Sequence, residues 1–349
     1  RLKKYNNVID LSKKILNEDP NFTQIIYTLY FQAIAYEKIG ELDKSEQSYL
    51  KLIQNEPIID NYRLLARFYF YSEQFDKVIE TCNLGLELDG IDKTSFEYIR
   101  INTWRATAYS FTNQTNRAIE EYINLISLDS VNSFSHIESI ADLYIDLNNY
   151  EKAIEYFNKS IELKPDYFYA YLNKGFLYLE ELKDYPKAVE NFKKAAKISS
   201  DSGDFDKTLQ SNTQIYTTYD LMGDFKNTIE FLNKCIDYRP NNIDFLFERA
   251  SLYSNNGYKN KALVDYLKLL SINDGKSYGV NNNIGLIYEN YIKDYDKAIE
   301  FYSNEIDLFP DETISYRNKA AVYHDHLNND NMAIKTMNKA IELDSLSSY

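Results

Sequence analysis

The sequence predicts an all-α solenoid built from antiparallel helix pairs, and three observations carry that expectation. The first is a repeated amphipathic segment, YEKAIEYFNKSIELKP at Tyr150 to Pro165. It recurs as YDKAIEFYSNEIDLFP at Tyr295 to Pro310, as FKNTIEFLNKCIDYRP at Phe225 to Pro240, and in the degenerate form MAIKTMNKAIELDS near the end. Its small residue serves as a marker at Val8, Ser45, Val78, Ala118, Ala153, Ala188, Thr228, Ala262, Ala298 and Ala333, at steps of 37, 33, 40, 35, 35, 40, 34, 36 and 35. A period of about 36 residues is the mark of a stacked repeat array. The second observation is a Gly or Ala followed three residues later by Tyr: Ala33/Tyr36, Ala66/Tyr69, Ala106/Tyr109, Ala141/Tyr144, Gly175/Tyr178, Ala250/Tyr253, Gly285/Tyr288 and Ala320/Tyr323. Only Tyr216/Tyr219 departs from it. The third is scarcity: 10 Gly and 6 Pro suit a mostly helical chain and leave little room for glycine-rich phosphate loops.

Each element follows from these patterns. In Tyr150 to Pro165, Ala153, Phe157, Ser160, Ile161 and Leu163 fall near one stripe, while Glu151, Lys152, Glu155 and Lys159 face away. Pro165 stops the helix because it brings no backbone donor and disfavours helical angles in the residue before it. Ahead of each marker lies a second amphipathic segment, read best in AYLNKGFLYLE at Ala170 to Glu180. Each unit is therefore helix, short turn, helix. Residues 1–20 are expected to be a lone second helix (Tyr5, Val8, Leu11, Ile15, ended by Pro20), residues 21–345 about nine repeats, and 346–349 a tail. The whole is read as one domain, 1–349, truncated at both Arg1 and Tyr349. The steps of 40 predict longer first helices or loops near Asp89–Phe96 and Ser199–Asp206.

These segments resemble the tetratricopeptide repeat, whose pattern sets an aromatic, a Leu-Gly pair, Tyr, Ala, Phe or Tyr, Ala and Pro on two antiparallel helices. The resemblance covers nearly the whole chain. It implies a right-handed superhelix whose first helices line a concave face, and it implies protein or peptide ligands.

Composition narrows the partners. A net charge of −14 opposes nonspecific nucleic-acid binding, which needs phosphate neutralisation. It favours basic partners. No apolar run is long enough for a transmembrane helix, so no membrane insertion is expected. Cys82 and Cys235 lie four repeats apart, too far to bridge in a stiff array. Unpaired cysteines are compatible with a reducing compartment, and an intracellular, cytoplasmic location is favoured.

Chemistry-bearing motifs are missing. No G-x-x-x-x-G-K-[ST], H-E-x-x-H, G-x-S-x-G or paired C-x-x-C occurs. His136, His324 and His326 are not spaced as metal ligands, and the cysteines read as buried small hydrophobes. Glu138, Asp142 and Asp146 form an i, i+4, i+8 line. Its outer carboxylates are about 12 Å apart and cannot share one ion, so the line is a solvated face or a docking ladder for basic side chains. No metal and no cofactor are expected.

The candidate partner-binding residues are Arg63, Arg67, Phe70, Tyr71, Arg100, Trp104, Glu138, Asp142, Asp146, Asn173, Asn283 and Asn318. Arg63 and Arg67 are i, i+4 on one first helix, with Phe70 and Tyr71 close by in sequence. Arg100 and Trp104, the only Trp, are i, i+4 on the next. Arg and Trp are enriched at binding hot spots. The family resemblance puts these residues on the concave side. Some members clamp chaperone C-termini with Lys and Asn, but Arg63 and Arg67 lack the paired Asn, so that function is not carried over. Others hold a peptide backbone with an Asn ladder. Asn173, Asn283 and Asn318 match it, while Ser139, Gln214 and Glu248 interrupt it. The expected function is a noncatalytic interaction scaffold with a groove for a peptide or protein segment. The alternative is a sensing or substrate-recruiting arm of a larger enzyme whose catalytic domain, one of the possible additional domains of the same polypeptide, lies outside this chain.

Overall fold

The computed structural model describes residues 2–18, 24–272 and 277–346. Among these residues the secondary structure is nineteen α-helices and two five-residue π turns, with no strand. Arg1, Pro20 and the tail from residue 347 to Tyr349 lie outside the described residues. The chain divides into two compact units, Arg1–Leu177 and Tyr178–Tyr349.

The first unit holds α1 (Leu2–Glu18) and four pairs: α2 (Ile25–Ile39) with α3 (Leu42–Asn55), α4 (Ile59–Tyr71) with α5 (Phe75–Leu86), α6 (Phe96–Phe111) with α7 (Thr115–Leu128), and α8 (Ser133–Asp146) with α9 (Tyr150–Leu163). It ends in α10 (Phe168–Phe176). The second unit holds α11 (Tyr185–Asp201) and four pairs: α12 (Phe205–Leu221) with α13 (Phe225–Tyr238), α14 (Ile243–Asn255) with α15 (Lys259–Ile272), α16 (Val280–Ile287) with α17 (Tyr295–Leu308), and α18 (Thr313–Asp325) with α19 (Asp330–Leu346). The π turns, Leu177–Glu181 and Tyr288–Ile292, follow directly on α10 and α16.

The turn into the second helix is the same device nine times, in the eight pairs and again ahead of α11. The residue four before the marker sits just ahead of the second helix, and its backbone N–H donates to the carbonyl of the repeated Tyr, at 2.8–3.0 Å from Glu41→Tyr36 through Asn329→Tyr323. The residue just before that donor is left-handed. It is Gly at 40, 223 and 257, Asn at 113, 148 and 328, and Glu73, Lys183 or Lys293 elsewhere, with φ between 51° and 82°. Gly and Asn tolerate that region best. One more residue separates the Tyr from the donor at Tyr178–Asp184, Tyr288–Asp294 and Tyr323–Asn329, and the bond is kept in all three; in the first two a π turn takes up the excess.

The markers Ser45, Val78, Ala118, Ala153, Ala188, Thr228, Ala262 and Ala298 are wholly buried, and Ala333 is nearly so. The residue one position earlier is a cation over the ring of the repeated Tyr in seven pairs: Lys44 on Tyr36, Lys77 on Tyr69, Arg117 on Tyr109, Lys152 on Tyr144, Lys187 on Tyr178, Lys261 on Tyr253 and Lys297 on Tyr288, at 4.9–5.9 Å. Gly285 has its own reason. A Cβ there would lie 2.6 Å from the buried Tyr302 ring.

Some expectations are corrected. Val8 is only half-buried and Leu11 is 59% exposed, whereas Ile9 and Ser12 are buried, Ile9 against Ala35 and Tyr36. The buried stripe of α1 thus runs Tyr5, Ile9, Ser12, and the marker position falls three residues before Val8. Leu163 is likewise 59% exposed at the end of α9, where the helix unwinds before Pro165. The two long steps are met differently. A nine-residue connection, 87–95, precedes α6, whereas near Ser199 both α11 and α12 are 17 residues long, and only Ser202–Asp204 separates them.

Candidate partner-binding site

In the first unit the residue types singled out from sequence lie on the first helices α4, α6, α8 and α10. Ridge spacing places Arg63, Arg67 and Phe70 along one stripe of α4. Arg63 donates to Asp60 Oδ1 from Nε at 2.7 Å and from Nη2 at 2.6 Å. Arg67 Nη2 donates to Glu37 Oε2 and to the Tyr49 hydroxyl, both at 3.2 Å. Two of the three expected groove cations are therefore already matched within the unit. Arg100 is exposed and has no carboxylate partner among the described residues. Its guanidinium lies over the Phe96 ring at 5.9 Å and over Trp104 at 5.5 Å.

Trp104 is the hub of an aromatic shelf. Its ring centre is 4.6 Å from Phe70 and 5.9 Å from Tyr71. Phe70 also meets Phe111 at 6.1 Å, and Phe111 stacks on Phe75 at 4.5 Å. Tyr71, Phe96 and Phe111 are 60–69% exposed. Rings of this size are normally buried; Tyr71 and Phe111 stand open around Trp104 and Phe70, and Phe96 stands at the other end of α6. Sequence reading missed Phe96 and Phe111. They are the first and last residues of α6, and no local sequence pattern marks them.

The acidic line on α8 splits. Glu138 is buried and accepts from the Tyr167 hydroxyl at 2.8 Å and from Asn173 Nδ2 at 2.9 Å. Burial pushes its carboxyl up, opposed by those two donors. It is a tie between α8 and α10, not a solvated carboxylate, and it consumes Asn173. Asp142 and Asp146 instead line a hollow of about 380 Å³ with Phe111, Ser139 and the Tyr122 side chain. Desolvation by the wall of that hollow, then the Glu138 and Asp146 carboxylates, push Asp142 up to about 7, although much of the residue stays exposed to solvent. The carboxyl of Asp142 is thus protonated more readily when folded than in an unfolded chain, whose value is near 4. Its contribution to stability is full below about pH 4 and is lost as pH rises through about 7. Asp142→Asn is expected to stabilise the protein with a gap that opens from about pH 4 and levels off above about pH 7. Urea unfolding of the parent and the variant at several pH values checks this, and a gap of constant size would contradict it.

In the second unit Asn283 Nδ2 donates to the Tyr266 hydroxyl at 3.2 Å, and Asn318 Nδ2 donates to Asn282 Oδ1 at 2.9 Å. Each Asn of the expected ladder is therefore bonded to a neighbouring helix of its own unit. The histidines are also engaged. His136 is buried beside Asp129 at 3.2 Å, His324 meets Asp330 at 2.8 Å, and His326 stacks on Tyr295 at 4.2 Å. Burial raises the Cys82 thiol to about 12 and the Cys235 thiol to about 11, which keeps both protonated and unreactive. Among the described residues no three His, Cys, Asp or Glu side chains converge as a metal site. No described helix is long and apolar enough to cross a membrane.

Helix pairs repeated on one turn device define a helical-repeat protein. A TPR repeat profile matches residues 141–181, and a tetratricopeptide repeat profile matches 168–202, 217–242, 243–275 and 314–345. A TPR repeat-containing protein of Methanocaldococcus jannaschii is 23% identical over 333 residues, covering 91% of this chain and 50% of that one. The chain thus spans about half the length of that relative. The C-terminal part of a TPR repeat-containing protein from Cytophaga hutchinsonii superposes with a TM-score of 0.53 at 15% identity, over 73% of this chain and 98% of that one. YrrB, a TPR protein described as having an unusual peptide-binding site, gives a TM-score of 0.43 at 20% identity, over 56% of this chain and 95% of its own. The segments 141–202, 217–275 and 314–345 are thus matched as tetratricopeptide repeats.

Proposed function

We propose that this protein is a noncatalytic interaction scaffold and that its first unit holds an extended segment of a protein partner along α2, α4, α6 and α8. Tetratricopeptide-repeat proteins bind peptides or proteins, and the shelf around Trp104 is the observation that carries the reading to this face. Large exposed rings beside an unmatched Arg100 are what hot-spot anchors look like before a partner covers them. The hollow of Asp142 and Asp146, one first helix away, gives the face an acidic end opposite its cationic one. A bound segment then has a preferred direction, since charge complementarity mainly sets register and encounter rate. Asn173 supports this face indirectly, by holding Glu138 in place.

The experiment is capture of the partner followed by calorimetry. Trp104→Ala is expected to weaken binding by about 2 kcal/mol or more, with the helical signal unchanged. Arg100→Glu is expected to slow association most at low salt. A partner that binds the Trp104→Ala, Arg100→Glu double variant as tightly as the parent would place the binding surface elsewhere.

A further inference from the structure

A second hollow lies beside the aromatic shelf in the first unit. It measures about 450 Å³, lies between α2 and α4, and is walled by Ile26, Tyr27, Tyr30, Phe31 and Leu64, with Arg63 on its rim. Tyr27 and Phe31 are 65% and 55% exposed, so the walls are apolar and open. The carboxylates of Glu56 and Asp60 also reach the rim, and Asp60 is bonded to Arg63. An anionic side chain would be repelled there, and an uncharged bulky one would bury apolar surface. Arg100, unlike Arg63, has no carboxylate partner among the described residues. The Arg63 and Arg100 guanidinium carbons each lie 5.9 Å from the Phe96 ring centre, so they are within about 12 Å of each other. Same-facing side chains of an extended chain recur about every 7 Å.

Resting on the reading that this face binds an extended segment, we infer that its occupant is an acidic–aromatic segment of a partner. A Glu or Asp side chain of that segment sits on Arg100, and a Phe, Tyr or Trp two or four residues away fills the hollow between α2 and α4. The Arg100 guanidinium lies over the Phe96 and Trp104 rings with no carboxylate partner among the described residues, so its charge is available to a ligand. In a protein of net charge −14 such a site is selective, because the surroundings repel acidic chains that lack the aromatic anchor.

The test uses the full chain and fluorescein-labelled decapeptides read by fluorescence anisotropy. The probe carries the core Glu-Ser-Phe-Ser-Phe in a Gly/Ser background, and its controls replace Glu by Lys or both Phe by Ala. The probe is expected to bind saturably, and each control about tenfold or more weakly. Arg100→Ala is expected to narrow the Glu-over-Lys preference to near unity. Phe31→Ala is expected to weaken the Phe peptide and leave the Ala peptide unchanged. Both substituted side chains are exposed, so circular dichroism should match the parent. No saturable binding of the probe up to millimolar concentration, or a Lys core that binds as well as the Glu core, overturns the proposal. If the Lys core binds and Trp104→Ala abolishes that binding, the acid preference falls while the face stands as the binding surface. Binding of the probe that is indifferent to Arg100→Ala, Phe31→Ala and Trp104→Ala alike overturns both.

Discussion

Glu305→Ala is expected to destabilise the α16–α17 region by about 3–5 kcal/mol. The residue sits seven after the marker Ala298, where the other second helices carry residues such as Leu52, Leu125, Ser160, Ala195 and Cys235. Here a carboxylate is 2% exposed, and it accepts from the backbone N–H groups of Gly279 at 2.6 Å, Asn281 at 3.1 Å and Asn282 at 3.4 Å. These are first-turn donors of α16, which has no side-chain cap of its own. The acid of one helix thus caps another, with its charge at the positive end of the helix dipole. Truncation to Ala leaves a hole and three donors without an acceptor. Glu305→Gln keeps an acceptor and loses only the charge, so a cost of about 1–2 kcal/mol is expected. Since a repeat array unfolds in parts, the measurement is hydrogen exchange at Gly279, Asn281 and Asn282, backed by urea unfolding. Unchanged protection of those amides in the Ala variant would show that another acceptor serves them.

Arg249→Ala is expected to cost a similar amount, about 3–5 kcal/mol, for a different reason. Arg249 grips Asp265 with two bonds, Nε to Oδ2 at 2.8 Å and Nη2 to Oδ1 at 2.7 Å, and reaches back to Asn233 Oδ1 at 2.7 Å. Asp265 is only 4% exposed. Removing the guanidinium strands a buried carboxylate, which is far worse than removing both charges. The double variant Arg249→Leu, Asp265→Leu is therefore expected to recover most of the loss, and Arg249→Lys to fall between, since an ammonium cannot form the paired contact. Urea midpoints of the three variants test this ordering. A double variant less stable than Arg249→Ala would mean that the charges are favourable in themselves. The first unit repeats the arrangement in a weaker form. Arg105 bonds Asn83 at 2.8 Å and Glu121 at 2.6 Å, but its buried Nε has no acceptor.

Apolar spacing made the helix pairs legible, because burial of Ala153, Phe157 and Ser160 on one face needs only local sequence to be seen. The repeated Tyr and the marker located each turn as well. What the sequence could not tell was which polar side chains were spent internally. Glu138 answers to Asn173, and Arg67 to Glu37, partners 35 and 30 residues away in adjoining repeats. A single chain read along its length shows charges and amides without their cross-repeat partners. Arg249 and Arg105 were passed over for the same reason, although both directly precede the small residue of a first helix, at Ala250 and Ala106. The candidate site was legible in its parts. Trp104, Arg100, Phe70 and Tyr71 do come together, but Arg63 and Arg67 are largely neutralised, and the open rings of Phe96 and Phe111 had no local signature. In α1 the marker was misplaced by three residues because Val8 and Ile9 are adjacent apolar residues, and only packing against Ala35 and Tyr36 tells which of them faces inward.

The two π turns bear on how such a gene can change length. The bond from the residue ahead of each second helix to the repeated Tyr survives whether five or six residues separate them. Register is thus kept by a hydrogen bond and a ring, not by a residue count. A one-codon insertion after the Tyr is absorbed inside its own repeat, with Lys187 on Tyr178 and Lys297 on Tyr288 seated like the cations of the uninserted repeats. Duplicated repeats can drift apart in length at this point while their packing surfaces stay interchangeable.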